Sequence, residues 1–290
     1  MMEEIIVNFT PTGMIPTKEM TPHVPLHPDE VIEDVLRCSE LGVSMVHLHA
    51  RNEKGEPTWK PEVYREIITG IRKENKDLIL CVSCSGRTVQ DLEKRSAVLN
   101  LEGQAKPDMA SLTLSSLNFN KVASINSPKV IKSLVGAMQE RGIKPELEAF
   151  DLGMINYAKY LRKKGLIEPP FYFNLILGNI ACAQANLLSM GLMKREVPDD
   201  SVISYGGVGD FQRLVNSLAV VTGKGVRVGL EDNIWYDKDR TKLATNYDLL
   251  KRVKKIAEIH EKRFISASKL RDRLGLKKPE EGYGKANPGD

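Results

Sequence analysis

Cysteine is scarce in this 290-residue chain, and its four copies, Cys38, Cys81, Cys84 and Cys182, are too scattered for a disulfide framework. Cys81 and Cys84 make a C-x-x-C, but LILCVSCSG reads as a buried strand entering a turn. Their odd spacing puts the thiols on opposite faces, against a redox or zinc-ribbon role. No apolar run approaches the length that crosses a bilayer, which excludes a membrane span. The start, MMEEIIVNF, lacks the basic and long apolar stretches of a secretory signal, so a cytoplasmic location is expected. Charge is not concentrated either: the net value of +4 is far from a nucleic-acid binder and leaves anionic small molecules as fitting partners. No G-x-G-x-x-G follows the first strand, which weakens dinucleotide binding on an open sheet.

What the chain does have is enough apolar residue, 41%, for a sizeable core, and a regular alternation. Eight β-branched-rich runs recur: EIIVNFT, MVHLHAR, LILCVSC, MASLTLS, ELEAFD, FYFNLIL, SVISYGG and VRVGLED. Between them lie helical patterns such as PDEVIEDVLRCSELG, KPEVYREIITGIRKEN, SPKVIKSLVGAMQERG and INYAKYLRKKG. Pro28 with Asp29 and Glu30 opens the first, Gly42 follows it, Ser127 and Pro128 read as N-cap and N1 of another, and Gly142 closes that one. Strand and helix in alternation imply a parallel sheet, and eight units predict a (β/α)8 TIM barrel, with a doubly wound open sheet as the alternative. Nothing marks a domain boundary, so residues 1–290 are expected to form one barrel domain. The proline-rich TPTGMIPTKEMTPHVPLHP reads as a long active-site loop in which His23 and His27 are solvated or structural. From about Lys242 to Leu276 a charged helical extension is expected, its charges on a solvated face, and EEGYGKANPGD reads as a tail.

Histidine is almost as rare as cysteine, at five copies, yet two of them fall one residue apart in MVHLHAR. On a strand His47 and His49 share a face, which lets two imidazoles converge on one ion, although an isolated pair of this kind is more often held only by hydrogen bonds. In a barrel, chemistry gathers at the carboxyl ends of the strands. Those ends are polar here: Arg51 after the histidines, Ser83 and Gly86, Thr113 with Asn118 in the next loop, Glu146 with Glu148 and Asp151, and Arg227, Glu231 and Asp232. Strands two and eight are separated by strand one alone in a closed barrel, so Glu231 can meet His47 and His49. Two histidines, one glutamate and an open fourth position suit a catalytic Zn²⁺. Arg227 needs a counter-charge and Asp232 is nearest in sequence; the lesser alternative is that Arg227, Glu231 and Glu148 form an ion network that only stabilises the barrel.

These blocks, from VNFTPTG through HPDEVIEDVLRCSELGVSMVHLHARN to VRVGLEDN, resemble the β-keto acid cleavage enzymes, zinc-dependent barrels, over almost the whole chain. The resemblance implies that His47, His49 and Glu231 hold zinc, that Asp232 is the base and Arg227 tunes it, that Ser83 and Gly86 receive the substrate carboxylate, and that Glu148 is a further catalytic carboxylate. It implies condensation of a β-keto acid with acetyl-CoA, the co-substrate, followed by cleavage to acetoacetate and a new acyl-CoA, in a homotetramer. One departure stands out. Many members carry Gly-Ala-Glu where this chain has Gly13, Met14 and Ile15, which removes an acidic partner for an ammonium and leaves an apolar wall suited to a neutral or alkyl tail. Two rivals remain at this level. A metal-dependent aldolase or acyl-CoA lyase barrel carries its H-x-H late and its acidic ligand on strand one, the reverse of this order. A zinc- or ligand-binding barrel without turnover would use the same ligands.

Overall fold

The computed structural model describes residues 2–286. Eight parallel strands form β1 (Val7–Phe9), β2 (Met45–Leu48), β3 (Ile79–Val82), β4 (Met109–Thr113), β5 (Lys144–Ala149), β6 (Phe171–Leu177), β7 (Ser201–Gly207) and β8 (Gly225–Val228). Each pairs with the next and β8 pairs with β1, so the sheet closes on itself. The eight runs read from the sequence are therefore the barrel staves, and the open-sheet alternative is excluded. Helices α1 (Pro28–Ser39), α2 (Pro61–Glu74), α3 (Leu92–Ser96), α4 (Pro128–Glu140), α5 (Leu152–Lys163), α6 (Leu187–Glu196), α7 (Phe211–Val221) and α8 (Asn246–Ile259) lie in the connections, and α9 (Ala267–Leu274) follows the last strand–helix unit. Pro28 and Pro128 occupy first turns, and the Ser127 hydroxyl accepts from the Val130 amide, as expected of an N-cap.

The interior is graded along the barrel axis. At the amino ends Ile6, Met45, Ile79, Met109 and Tyr172 pack with Ile265, Leu270 and Leu274, so α9 plugs the base with its apolar face. One step further up, the same strand faces carry Asn8, His47, Glu146, Asn174 and Arg227, all buried. Period-two geometry accounts for this: Met45, His47 and His49 all point inward, and most strands thus deliver an apolar side chain to the base and polar ones to the mouth, with Lys144 of β5 and Gly225 of β8 as the exceptions at the base. The larger apolar cluster lies outside the staves, between them and the helices, and includes Val46, Leu48, Leu80 and Val82.

The carboxyl-terminal expectation needs correction. The charged helical stretch is interrupted: Glu261 adopts φ +53°, and Lys262–Phe264 forms a short strand parallel to Glu3–Ile5 before α9 begins. Glu4 sits among Arg263, Lys269 and Arg273, which fastens this turn to the start of the chain. The supposed tail is also held. Tyr283 is buried against the guanidinium of Arg72, 3.3 Å from the ring centroid, and the Lys285 amide donates to the Gly142 carbonyl. Residues 287–290 lie outside the described residues. Asp108 organises the base, accepting from Arg72 at 3.1 Å and from Arg271 of α9 at 2.8 Å with all three side chains buried. Replacing Asp108 would leave two buried guanidinium charges uncompensated, the arrangement in which an ion pair matters most.

Lys144, at the amino end of β5, is buried without such a partner among the described residues, and burial together with nearby Lys285 lowers its pKa to about 8. A cation whose folded pKa lies below its unfolded one weakens folding while both states are protonated, and the penalty fades as pH climbs from about 8 toward the ordinary lysine value near 10.4. Lys144→Met is therefore expected to stabilise the protein at pH 7 by on the order of 3 kcal/mol. Urea unfolding should show that gain shrinking by pH 10. A gain independent of pH would contradict the assignment.

Candidate active site

Glu146 of β5 is fully buried, and its surroundings explain why a carboxylate is tolerated inside the barrel. One oxygen accepts from Asn8 Nδ2 at 2.7 Å and Asn174 Nδ2 at 3.1 Å, and the other faces His47 Nδ1 at 2.6 Å and the Cys81 thiol at 3.2 Å. Burial opposes ionisation of Glu146, but His47 outweighs it and holds the carboxyl well below its usual range. The converse holds across the same bond: burial disfavours the His47 imidazolium, yet Glu146 and then Glu231 raise its pKa. With Nδ1 committed to Glu146, His47 turns Nε2 toward the mouth, where it lies 3.3 Å from His49 Nε2. His49 Nε2 in turn lies 3.3 Å from Glu231 Oε1. Burial lowers the His49 pKa.

Arg227 of β8 is the cation among these acids. Its Nη2 is 2.7 Å from Glu231 Oε1, its Nε 2.8 Å from Asp232 Oδ2, and its Nη1 3.9 Å from Glu148 Oε1. Burial opposes the ionisation of Glu231, but Arg227 and both histidines keep it well below the usual carboxylate range. Asp232 and Glu148 behave oppositely. Burial raises Asp232 against the pull of Arg227, and burial with the neighbouring Glu146 charge raises Glu148, whose Oε2 accepts from Thr113 Oγ1 at 2.7 Å. Among the described residues the network is not closed: Arg227 Nη1 and Glu231 Oε2 are buried with no hydrogen-bond partner. Two orphaned groups of opposite character at a strand-end mouth argue for a site that awaits a ligand rather than a self-satisfied ion cluster.

Among the described residues two groups could hold a metal, His47 with His49 and Glu231, and His47 with Cys81 and Glu146. In the second group the 2.6 Å separation of His47 Nδ1 and Glu146 is that of a hydrogen bond, too short for two ligands of one ion. In the first, both nearest separations are 3.3 Å. Tetrahedral ligation with bonds of about 2.0–2.1 Å sets neighbouring donor atoms about 3.3 Å apart. The first group therefore fits a divalent ion, with the lone Glu231 oxygen beside it.

The other expected residues divide. Ser83 and Met14 line a cleft with His49, Tyr64, Ser85 and Trp59. Gly86 has no room for a side chain, since a Cβ there would come within 2.6 Å of Arg95 Nη1 and the Ile125 carbonyl. Gly13, with φ +65°, lies against Glu231, where a Cβ would sit 2.5 Å from Cγ, so both a left-handed turn and a close approach require glycine. Ile15 is half-exposed, and Asn118 is exposed in a hairpin, where its carbonyl accepts from Asn179. Arg51, expected to touch substrate, is committed elsewhere: it is buried and donates to the carbonyls of Gly13, Pro16 and Gly55, so it clamps the loop that follows β1. Asp151 is the N-cap of α5, its carboxylate accepting from the Met154 amide. His23 is exposed, and His27 sits at the start of α1, where the Glu30 side chain accepts from its amide, so neither joins the site.

A closed parallel barrel with a His–His–Glu triad and a charge-paired Asp232 at the carboxyl ends of its staves defines an enzyme of the (β/α)8 class. The family model for "beta-keto acid cleavage enzyme" matches residues 4–276, and this chain belongs to that family. A "3-keto-5-aminohexanoate cleavage enzyme" of Fusobacterium nucleatum is 34% identical over 280 residues, 96% of this chain and 100% of that protein. A "3-oxoadipate:acetyl-CoA acetyltransferase" of Cupriavidus necator is 31% identical over 95% of this chain and 96% of that protein. The fold is also that of ObcA, seen in a ternary complex with a C4-CoA adduct and oxalate, at a TM-score of 0.78 and 20% identity over 88% of this chain and 68% of that one.

The pairing of Glu146 with His47 generates a direct check. Glu146→Gln keeps the shape and removes the charge, so burial should dominate and the His47 pKa should fall. Nitrogen-resolved NMR titration of the metal-free protein measures it. An unchanged His47 titration would mean that Glu146 does not govern this imidazole.

Proposed function

We propose that the chain is a zinc-dependent acyltransferase that condenses a β-keto acid with acetyl-CoA and cleaves the product to acetoacetate and a new acyl-CoA, working as one barrel domain over residues 1–290 in a cytoplasmic homotetramer. The observation that carries this reading is the convergence of His47 Nε2, His49 Nε2 and Glu231 Oε1 beside Asp232 at the mouth of a family barrel. A zinc ion held by those three residues would supply Lewis-acid polarisation to a bound β-keto acid.

The protein's own residues do the rest. Ser83 and the close-packed backbone at Gly86 receive the carboxylate, with Thr113 and Asn118 as further polar contacts and Met14 and Ile15 as an apolar wall. Asp232 takes the proton from the carbon between the keto and carboxylate groups. Burial, which raises its pKa, makes it a stronger base than an exposed aspartate, and Arg227 limits that rise; as Asp232 is protonated the negative charge passes to the substrate's enolate, and Arg227, no longer paired with a carboxylate there, can attract it. The carbanion attacks the thioester carbon of acetyl-CoA and the CoA thiolate leaves. The thiolate then adds to the original keto carbon, the bond between that carbon and the acetylated carbon breaks, and the released acetoacetate carbanion takes the proton back from Asp232. Atoms balance: one β-keto acid and one acetyl-CoA give one acyl-CoA and one acetoacetate. Glu148, with its raised pKa, can lend a hydrogen bond from its protonated form to oxygen charge that develops near Arg227 Nη1.

Incubation of the protein with acetyl-CoA and a panel of β-keto acids, with acyl-CoA detected by mass spectrometry, tests the reading, and no new acyl-CoA from any acid would leave a binding barrel. Asp232→Asn should bind substrate normally and lose about 10²–10⁴-fold in kcat, because an amide cannot accept the proton. Near-normal turnover would move the base to Glu148. His49→Ala should lose zinc by elemental analysis, and light scattering should give four chains per particle.

A further inference from the structure

Four arginines surround the mouth, and three are committed to partners within the protein. Arg51 holds the Gly13 and Pro16 carbonyls of the loop after β1 and the Gly55 carbonyl of the turn after β2. Arg95 donates to the Cys84 and Ile125 carbonyls and to Asn126 Oδ1, fixing the loop after β3. Arg227 binds Glu231 and Asp232. Arg87, next to Gly86, differs: among the described residues its guanidinium makes no hydrogen bond and no ion pair. It is not a loose surface cation, however. It is half-buried and lies along the face of Phe119, 3.3 Å from the ring centroid, and Phe119 is braced edge-on by Phe150 at 6.0 Å from the end of β5. Contact that close covers one face of the guanidinium and leaves its N–H fork pointing edgeways. The carboxylates of Glu231, Glu148 and Asp232 are near enough to act on it against its burial.

We propose that Arg87 is a specificity-determining residue that reads a second anionic group, a carboxylate at the far end of the β-keto acid, so that the preferred substrates are β-keto dicarboxylic acids. This rests on the acyltransfer reading above. A planar fork immobilised on an aromatic ring is preorganised for a carboxylate, because the ordering cost has already been met in the free protein. The position favours a distal group over the reacting end. The cleft beside Ser83 and His49 is lined by Thr88, Val89 and Arg95 but not by Arg87, whose head is carried over to the hairpin side with Phe119. Residue 15 adds no competing charge. It is isoleucine, so no acid there selects a cationic tail or repels an anionic one.

The test compares wild type, Arg87→Gln and Arg87→Lys on 3-oxoadipate against 3-oxohexanoate with acetyl-CoA, and measures calorimetric binding of the inert acids adipate and hexanoate by the same proteins. Wild type should favour the dicarboxylic acid in both assays. Arg87→Gln should cut the ratio of kcat/KM for the two keto acids, and the ratio of adipate to hexanoate affinity, by about 10- to 100-fold. Arg87→Lys, which keeps the charge but loses the fork, should retain part of the preference. No dicarboxylate preference in wild type, or an unchanged ratio in Arg87→Gln, overturns the proposal. So does an equal loss on both acids, which assigns Arg87 to the carboxylate they share, or a rise confined to the KM of acetyl-CoA, which assigns it to the cofactor's phosphates. Because adipate binding needs no turnover, failure of the chemistry and failure of this proposal are distinguishable.

Discussion

Arg227 is the constraint on which the mouth of the barrel depends. One buried guanidinium stands against Glu231, Asp232 and Glu148, and each of those acids faces the same small volume. Without a central cation three carboxylates in a desolvated space could not remain ionised together. With it they separate: Glu231 is driven toward the ionised form, while Asp232 and Glu148 are raised toward protonation. That division gives one ligand-like carboxylate and two that can exchange protons, from three side chains of nearly identical chemistry. The unpaired Nη1 and the unpaired Glu231 oxygen show that even Arg227 does not satisfy the cluster.

The rest of the barrel serves to hold that cluster in place. Its base is fastened by a second ionic centre, Asp108 with Arg72 and Arg271, which is fully enclosed and needs no ligand. The contrast between the two centres is instructive. At the base one acid meets two arginines, further fixed by backbone carbonyls such as those of Asp77 and Gln104, and charge is in small excess on the positive side. At the mouth acids exceed the arginine that binds them. Asn246, at the start of α8, ties the two sides of the mouth by accepting from the Leu230 amide and donating to the Pro11 carbonyl, so the turn bearing Glu231 and the loop bearing Gly13 keep their close contact.

Much of this was legible in the sequence because strand parity is a strong rule. The eight runs, the shared face of His47 and His49, and the approach of β8 to β2 across β1 all follow from period two and closure. What the sequence hid has definite physical reasons. Glu146 was visible only as one of two alternating acids in ELEAFD; its partner His47 lies 99 positions away, and only the closed barrel brings them to 2.6 Å. Arg51 looked like a substrate contact because arginine at a strand end usually seeks an anion, whereas here backbone carbonyls of an irregular loop take its donors. The break at Glu261 was masked by residues of good helix propensity, and tertiary pairing of Lys262–Phe264 with Glu3–Ile5 overrode it.

The Glu146–His47 contact also bears on why the two histidines are not equivalent. His47 is held from behind by a carboxylate that two asparagine amides keep in position, whereas at His49 burial outweighs the pull of Glu231 3.3 Å away, and their pKa values move in opposite directions. A ligand entering at the mouth therefore meets one imidazole whose ring orientation is set by a rigid hydrogen-bonded stack and a second whose position is set by packing beside Glu231. A carboxylate behind a histidine fixes which ring nitrogen faces outward and increases its basicity. The stack Asn8–Glu146–His47 thus converts a fully buried charge in the barrel into directionality at its mouth, and it explains how a buried glutamate that touches no solvent remains tied to the chemistry two residues above it.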